Sequence, residues 1–419
     1  MTPTRISPVT RRRVLGTLAA APALGLGLAA CGGSGFDSSD GGSDGGGSSS
    51  GLSVLIGSSG DAETTAVQDA VAAWSKDSGT EAKVIAASDL AQQLSQGFAS
   101  GKPSDVFYLS SDSLAGFASN GSLEAYGDRL SNKDDFYPAL MEAFTLDGKQ
   151  YGAPKDFSTL ALIINTELWQ AAGLGDGDLP TDWDGLTAVA QKLTQGDVVG
   201  LAVSGEYARL GAFMAQAGGE LVTDGKATAD SAQNVEGLNY VKSLLGAGTM
   251  KFAKDLGAGW GGEAFGKKQC AMTIEGNWIT GGLEADFPDV AYRVAELPAG
   301  PAGKATLQFT NAWGIAADSS HQDDALKLVE FLTSKEQQMA FAKAFGVMPS
   351  LTAAAADWSA QYPDLAAFSA GAEYAKNIPS QAGVSDVIAD LNSQLESLAS
   401  QDPATILGTV QSNLEAALD

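Results

Sequence analysis

From Leu52 onward, short apolar runs alternate with stretches in which apolar residues recur every three or four positions. Leu52 to Ile56 reads as a strand, Gly57 to Gly60 as a turn, and Val67, Ala70, Val71 and Trp74 as one face of a helix. A second strand over 83–87, a helical face at Leu90, Leu94 and Phe98, and a third strand over 105–109 follow. The order βαβαβ predicts a parallel sheet with helices on its faces. Further apolar runs at 160–164, 198–203, 271–274 and 313–317 are predicted strands between helical stretches. Thr181 ahead of Asp182, Trp183 and Asp184 has the spacing of a helix cap, and Ala325, Leu328, Val329 and Leu332 form another amphipathic stripe. After Ser350, helices over 366–376 and 385–398, with no strand between them, are predicted to wrap one folded unit. No internal repeat is visible.

The 419 residues predict two folded units. With 44% hydrophobic and 18% charged residues, each unit has enough apolar material for a core. The expected fold class is therefore α/β and two-lobed, each lobe a mostly parallel sheet flanked by helices. Ligands in open α/β sheets bind beyond the carboxyl ends of the strands, so two facing lobes place the ligand cleft between them.

Charge and residue counts narrow the chemistry. Fifty acids against 25 bases give a net charge of -25, which repels phosphate backbones and excludes a nucleic-acid partner. Two cysteines and one histidine, His321, exclude a disulfide framework and any site needing two imidazoles. The acids Asp176, Asp178, Asp182 and Asp184 fail the calcium-loop pattern, because Pro180 takes a ligand position and the loop glycine is absent. No cofactor is expected. A serine triad has only His321 for its base, and the Gly-x-Ser-x-Gly strings at Ser43 and Ser49 lie in a Gly/Ser tract where no strand-to-helix elbow forms. Carboxylate-only glycoside hydrolysis stays open on composition, as does a non-sugar ligand.

At the amino terminus, Arg11, Arg12 and Arg13 precede an uncharged, largely apolar run from Val14 to Ala30, the anatomy of an export signal over residues 1–30. The run is short of the roughly 20 apolar residues a spanning helix needs. Thr10-Arg11-Arg12-Arg13-Val14-Leu15 resembles a twin-arginine signal, with Gly16 where lysine is common, and general secretion stays open. Leu28-Ala29-Ala30-Cys31 resembles a bacterial lipobox, which implies acylation of Cys31 and anchoring to the bilayer at the outer face of the cytoplasmic membrane. Residues 31–51 then form a Gly/Ser/Asp tether with a reach of about 25 Å.

The body carries four dispersed motifs in order. Tyr151-Gly152-Ala153-Pro154-Lys155-Asp156-Phe157 with Leu162 to Trp169, Cys270 to Trp278, Asn311-Ala312-Trp313-Gly314-Ile315-Ala316 and Gly346-Val347-Met348-Pro349 resemble the extracellular sugar-binding proteins of ABC transporters, the maltose-binding-protein superfamily. That resemblance implies a first lobe over 52–156 plus 299–347 and a second over 157–298 plus 348–419. It also implies a tethered receptor, not an enzyme, that closes on a carbohydrate and delivers it to an ABC permease.

A sugar ring presents C–H groups on one face and hydroxyls at its edge, so tryptophan beside acid or amide is the pattern sought. Trp278 leads, with Asn277 or Glu275 bonding a hydroxyl and Gly276 permitting a tight turn. Trp260, flanked by glycines that cannot bury it, and Trp313 are the other stacking candidates, with packing as their alternative. Asp156 lies at the expected hinge. Ser58, Ser59, Asp112, Glu206 and Tyr207 follow predicted strands. Trp74, Trp169, Trp183 and Trp358 are assigned to packing, Cys270 to an inert buried thiol.

Overall fold

The strands Leu52–Ile56, Ala82–Ala86 and Val106–Ser110 pair in parallel, with Leu52–Ile56 in the middle, as the βαβαβ order predicts. This computed structural model describes residues 51–58 and 60–418. The predicted signal, Cys31 and the tether through residue 50 lie outside the described residues. Among the described residues no helix is long and apolar enough to cross a membrane.

Period-2 alternation decides which face each side chain covers. Val106 and Tyr108 join Trp313 and Ile315 in one core, under the Asp61–Ser78 and Gln322–Leu332 helices; Phe107 and Leu109 join Ala312 in the other. The Asp61–Ser78 helix buries the predicted stripe Val67, Ala70, Val71 and Trp74 and stops at Gly79, whose φ of 76° is the left-handed cap glycine adopts without strain.

A second sheet runs in the order Met250–Phe252, Val199–Val203, Cys270–Glu275, Ala161–Asn165, Tyr292–Ala295. Its first three strands are parallel and the last two antiparallel. Its three central strands, buried along their whole length, read as near-continuous apolar runs rather than alternating ones. The Val384–Leu395 and Pro403–Leu418 helices pack here through Leu391, Leu395, Ile406, Leu407 and Val410.

Two strands belong to both halves of the structure. Gly152–Thr159 pairs antiparallel with Thr306–Ile315, and after Leu160 the first chain segment continues as Ala161–Asn165 in the second sheet. The return strand pairs at its far end with Val106–Ser110. The register slips once: Asp156 faces Asn311 and Pro154 faces Ala312, leaving Lys155 as the extra residue of a β-bulge. A bulge bends its strand and re-aims side chains. A third segment follows the Lys335–Phe345 helix at Gly346 and bridges to Phe157 through Met348.

The structure corrects several expectations. The cap of the Trp183–Leu193 helix is Asp182, not Thr181; its carboxylate accepts the Gly185 N–H at 2.8 Å. The helix expected over 366–376 ends at Gly371, and Ala375–Lys376 pairs in parallel with Thr306 and Leu307, so a short strand does stand between the late helices. Gly371 lies against the crossing strand, where a Cβ would come within 2.6 Å of Thr159 Oγ1. The Gly152–Thr159 strand and most of Thr306–Ile315 were not predicted.

In the Ala232–Gly246 helix, Gly237 meets the Tyr207–Gln216 helix backbone to backbone: a Cβ there would lie 2.7 Å from Met214 Cα and from the Phe213 carbonyl oxygen. Helix propensity alone favours alanine by about 1 kcal/mol, whereas forced overpacking costs about 1–3 kcal/mol. Gly237→Ala is expected to lower the urea midpoint, and a raised midpoint would show that the helix pair yields.

Candidate functional site

A cavity of about 1080 Å³ opens where the crossing strands leave the first sheet. Lys155 to Ser158 and Gln308 to Asn311 form its floor; Ser110, Ser111 and Asp112 line one side, and Asn277, Trp278, Thr280 and Glu284 the other. The end of the Lys335–Phe345 helix, with Tyr362 and Asn377, completes it. Its volume lies just above the roughly 300–1,000 Å³ range of small-molecule sites.

The bulge carries the first polar cluster. Lys155 Nζ donates to Glu63 Oε1 at 3.1 Å and to Asp156 Oδ2, and lies 4.4 Å from the Tyr108 ring centre. The Tyr108 hydroxyl donates to the same Glu63 oxygen at 2.8 Å. Burial alone would lower the Lys155 ammonium, but Asp156, Tyr108 and Glu63 together hold it above the ordinary lysine range. The cluster joins the Asp61–Ser78 helix, the Val106–Ser110 strand and the crossing strand into one unit.

On the opposite wall, the Cys270–Glu275 strand delivers Glu275, Gly276 and Asn277 to the start of the Trp278–Asp286 helix. Trp278 is 38% exposed, and its indole N–H donates to Glu275 Oε2 at 3.0 Å. Phe309 of the return strand meets the ring edge-on, centroids 5.2 Å apart and planes at 86°. Gly276 is required by the ring rather than by a turn: its φ is not positive, and a Cβ there would lie 2.2 Å from the indole. Asn277 donates its backbone N–H to Ser158 Oγ at 2.9 Å and its amide to the Gly346 carbonyl at 2.8 Å, tying the helix start to two crossing segments.

Of the residues singled out from sequence, Trp278, Asn277, Asp156 and Asp112 line the cavity. Six others do not. Trp313 is 1% exposed, because by that point the return strand has entered the first sheet and the indole packs edge-on against Tyr108, 4.9 Å between centroids. Glu275 is fully buried and bonded to Arg209. Trp260 is half-buried; its flanking glycine is what it packs on, since a Cβ at Gly262 would lie 2.1 Å from its ring. Tyr207 is buried in the second lobe's core, its N–H bonded to Asn392 Oδ1, and Glu206 pairs with Arg209 at 3.2 Å. Ser58 is engaged in its own turn with Gly60 and Thr64. Ser59 lies outside the described residues.

Sequence reasoning missed Glu63, Lys155, Phe309, Asn311 and Tyr362, all at the cavity. Trp358, assigned to packing, is buried in a core as expected and also borders the cavity. Three of the four acids considered for calcium are otherwise employed: Asp176 pairs with Arg293, Asp178 accepts the Gly175 N–H and Asp182 caps a helix, in whose first turn Asp184 lies. Among the described residues no group of three or more potential ligands could hold a metal ion. Burial pushes the Cys270 thiol up, away from reactivity.

Two α/β sheets joined by crossing strands, with a polar and aromatic cleft at the joint, define a two-lobed solute receptor fold. The chain belongs to the family of bacterial extracellular solute-binding proteins, whose model matches residues 69–370. A binding protein of Brucella abortus (strain 2308) is 26% identical over 350 residues, covering 78% of this chain and 83% of the relative. The diacetylchitobiose binding protein DasA of Streptomyces coelicolor is 25% identical over 275 residues, 62% of this chain and 63% of that one. In solved structures, the cyclic alpha-maltosyl-1,6-maltose binding protein of Arthrobacter globiformis superposes with a TM-score of 0.79 at 22% identity, covering 88% of this chain and 98% of the other. The family comprises receptors rather than enzymes.

Two outcomes follow from the buried charges. Lys155→Met leaves the Glu63 and Asp156 carboxylates without their ammonium; breaking a buried pair in this way costs about 3–5 kcal/mol, and a denaturant midpoint equal to the parent's would contradict it. Burial holds the Glu275 carboxyl above the ordinary 4.5, opposed by Arg209 and the Trp278 N–H. Between 4.5 and that raised value the folded chain keeps a proton the unfolded chain has lost, so stability falls as pH rises through this window. The melting temperature of the parent relative to Glu275→Gln is expected to drop as pH increases above 4.5; parallel curves would show that Glu275 titrates alike in both states.

Proposed function

We propose that the protein is a lipid-anchored extracellular receptor that captures an oligosaccharide in this cleft and hands it to an ABC permease. The observation that carries the reading is Trp278, a largely immobilised indole exposed to a cavity whose other lining groups include carboxylates, amides and hydroxyls. An aromatic plane suits the C–H face of a pyranose, and the polar groups of Asp156, Asn311 and Asp112 suit its hydroxyl edge. No arginine lines the cavity among the described residues, and acids outnumber lysines there, which disfavours an anionic guest. The relative from Streptomyces coelicolor and the neighbour from Arthrobacter globiformis both bear saccharide-binding names, which supports the same class here.

In this reading the lobes, 52–156 plus 299–347 and 157–298 plus 348–419, move about the crossing strands. A sugar drives closure only through contacts it makes better in the closed state. Cys31 carries the acyl chains, and the following Gly/Ser/Asp segment leaves the body free to meet the permease.

A thermal-shift screen with maltotetraose, diacetylchitobiose and arabino-oligosaccharides tests the class. A ligand at 100 times its Kd stabilises the native state by about 2.7 kcal/mol, a clear rise in melting temperature. Trp278→Ala is expected to weaken binding of the responding sugar by about 2–4 kcal/mol in calorimetry. Unchanged affinity removes Trp278 from the site, and a panel without any response overturns the carbohydrate assignment.

A further inference from the structure

We propose that Arg209 and Glu275 are positioning residues that fix the plane of the Trp278 indole before any ligand arrives; the functional meaning of this rests on the carbohydrate reading above. One oxygen, Glu275 Oε2, accepts three hydrogen bonds: from Arg209 Nε at 3.1 Å, Arg209 Nη2 at 2.6 Å and Trp278 Nε1 at 3.0 Å. The Arg209 guanidinium carbon also lies 5.2 Å from the centre of the Trp278 ring. Its remaining nitrogen, Nη1, is 3.2 Å from Glu206 Oε1, so the guanidinium is held from both ends.

The carboxylate itself has little freedom. Its other oxygen, Oε1, packs against Gly261, where a Cβ would sit 2.8 Å away. Both Glu275 and Arg209 are buried, so water does not compete for these charge-assisted bonds. The indole is thereby restrained at its N–H by Glu275, by the guanidinium at its ring, by Gly276 lying beneath it and by Phe309 edge-on.

Stability alone does not call for this arrangement. A buried ion pair is often replaceable by apolar residues without loss, and an indole exposed at a cleft can give its N–H to water. What the couple supplies is order: a side chain already in its bound orientation does not lose that freedom on binding.

The test reads Trp278 directly, without a ligand. In the full chain, the emission lost on Trp278→Phe defines the Trp278 component, and acrylamide is the quencher. Removing the acceptor (Glu275→Leu) or the clamp (Arg209→Met) is expected to raise the quenching constant of that component about twofold and to lower its anisotropy, as nanosecond ring motion is released. Glu275→Gln keeps an acceptor oxygen and is expected to restore the parent values, which a general loosening of the fold would not do. Folding of each variant is checked by its melting transition, and Arg209→Met carries the test where Glu275→Leu does not fold. Parent-like quenching and anisotropy in the folded variants overturn the proposal. Failure of the carbohydrate reading would show instead as a sugar panel without any thermal response, a result this measurement does not touch.

Discussion

The antiparallel ladder between Gly152–Thr159 and Thr306–Ile315 is the constraint on which the site depends. Both strands belong to the first sheet, the first of them running on through Leu160 into Ala161–Asn165 of the second, and the single bulge of the ladder falls at the cleft. With an unbroken register, Lys155 would have a partner across the ladder and the strand would follow a straighter course. The extra residue instead turns the lysine toward Glu63 and Tyr108, which are carried by a helix and a strand of the first sheet. The backbone irregularity and the buried charge cluster are thus one device: the bulge re-aims the ammonium, and the carboxylates around it hold the bulge in place.

Each side of the cleft rests on a buried ion cluster with a different task. Lys155, Glu63 and Asp156 belong to the floor and bind three elements together. Arg209, Glu275 and Glu206 stand behind the indole on the opposite side, and only the tryptophan reaches the cavity. Charges withdrawn from water in this way are costly unless paired and hydrogen-bonded, and in both clusters a single carboxylate oxygen accepts more than one donor. The cavity lining combines acids and amides such as Asp112, Glu284 and Asn311 with aromatic rings, among which Trp278 is the exposed one.

Much of the architecture was legible because buried strands and amphipathic helices carry strong periodicity. Leu52–Ile56, Val199–Val203 and Cys270–Glu275 are apolar runs of the right length, and Val67 to Trp74 repeats at helical spacing. The crossing strand was hidden because Gly-Ala-Pro-Lys-Asp-Phe-Ser-Thr has neither a continuous apolar run nor strict alternation; it is a strand because Thr306–Ile315 pairs with it. At the site, the turn from Glu275 to Trp278 was legible as a motif. The ranking of tryptophans was not, because Trp313, within a strand, and Trp278, just after one, look alike locally and only tertiary pairing decides which is sealed against Tyr108. Glu63 and Lys155 are 92 residues apart, and Arg209 and Glu275 66 apart, distances over which local patterning carries no signal.

The contact between Trp278 and Phe309 links the two clusters. Phe309 sits on the return strand opposite Ser158, two ladder positions from the register slip, and Ser158 in turn accepts the Asn277 N–H. In the proposed reading, a guest lying on the indole presses on a ring whose edge contact and helix start are both anchored to the crossing strands. A hinge responds to a ligand only when the ligand's contacts differ between its states. Here the stacking surface is braced against the joint itself, so a change in the angle between the sheets alters the packing around Trp278 without an intervening chain of side chains. If Trp278 is the binding surface proposed above, the indole is also the point at which occupancy and lobe geometry meet.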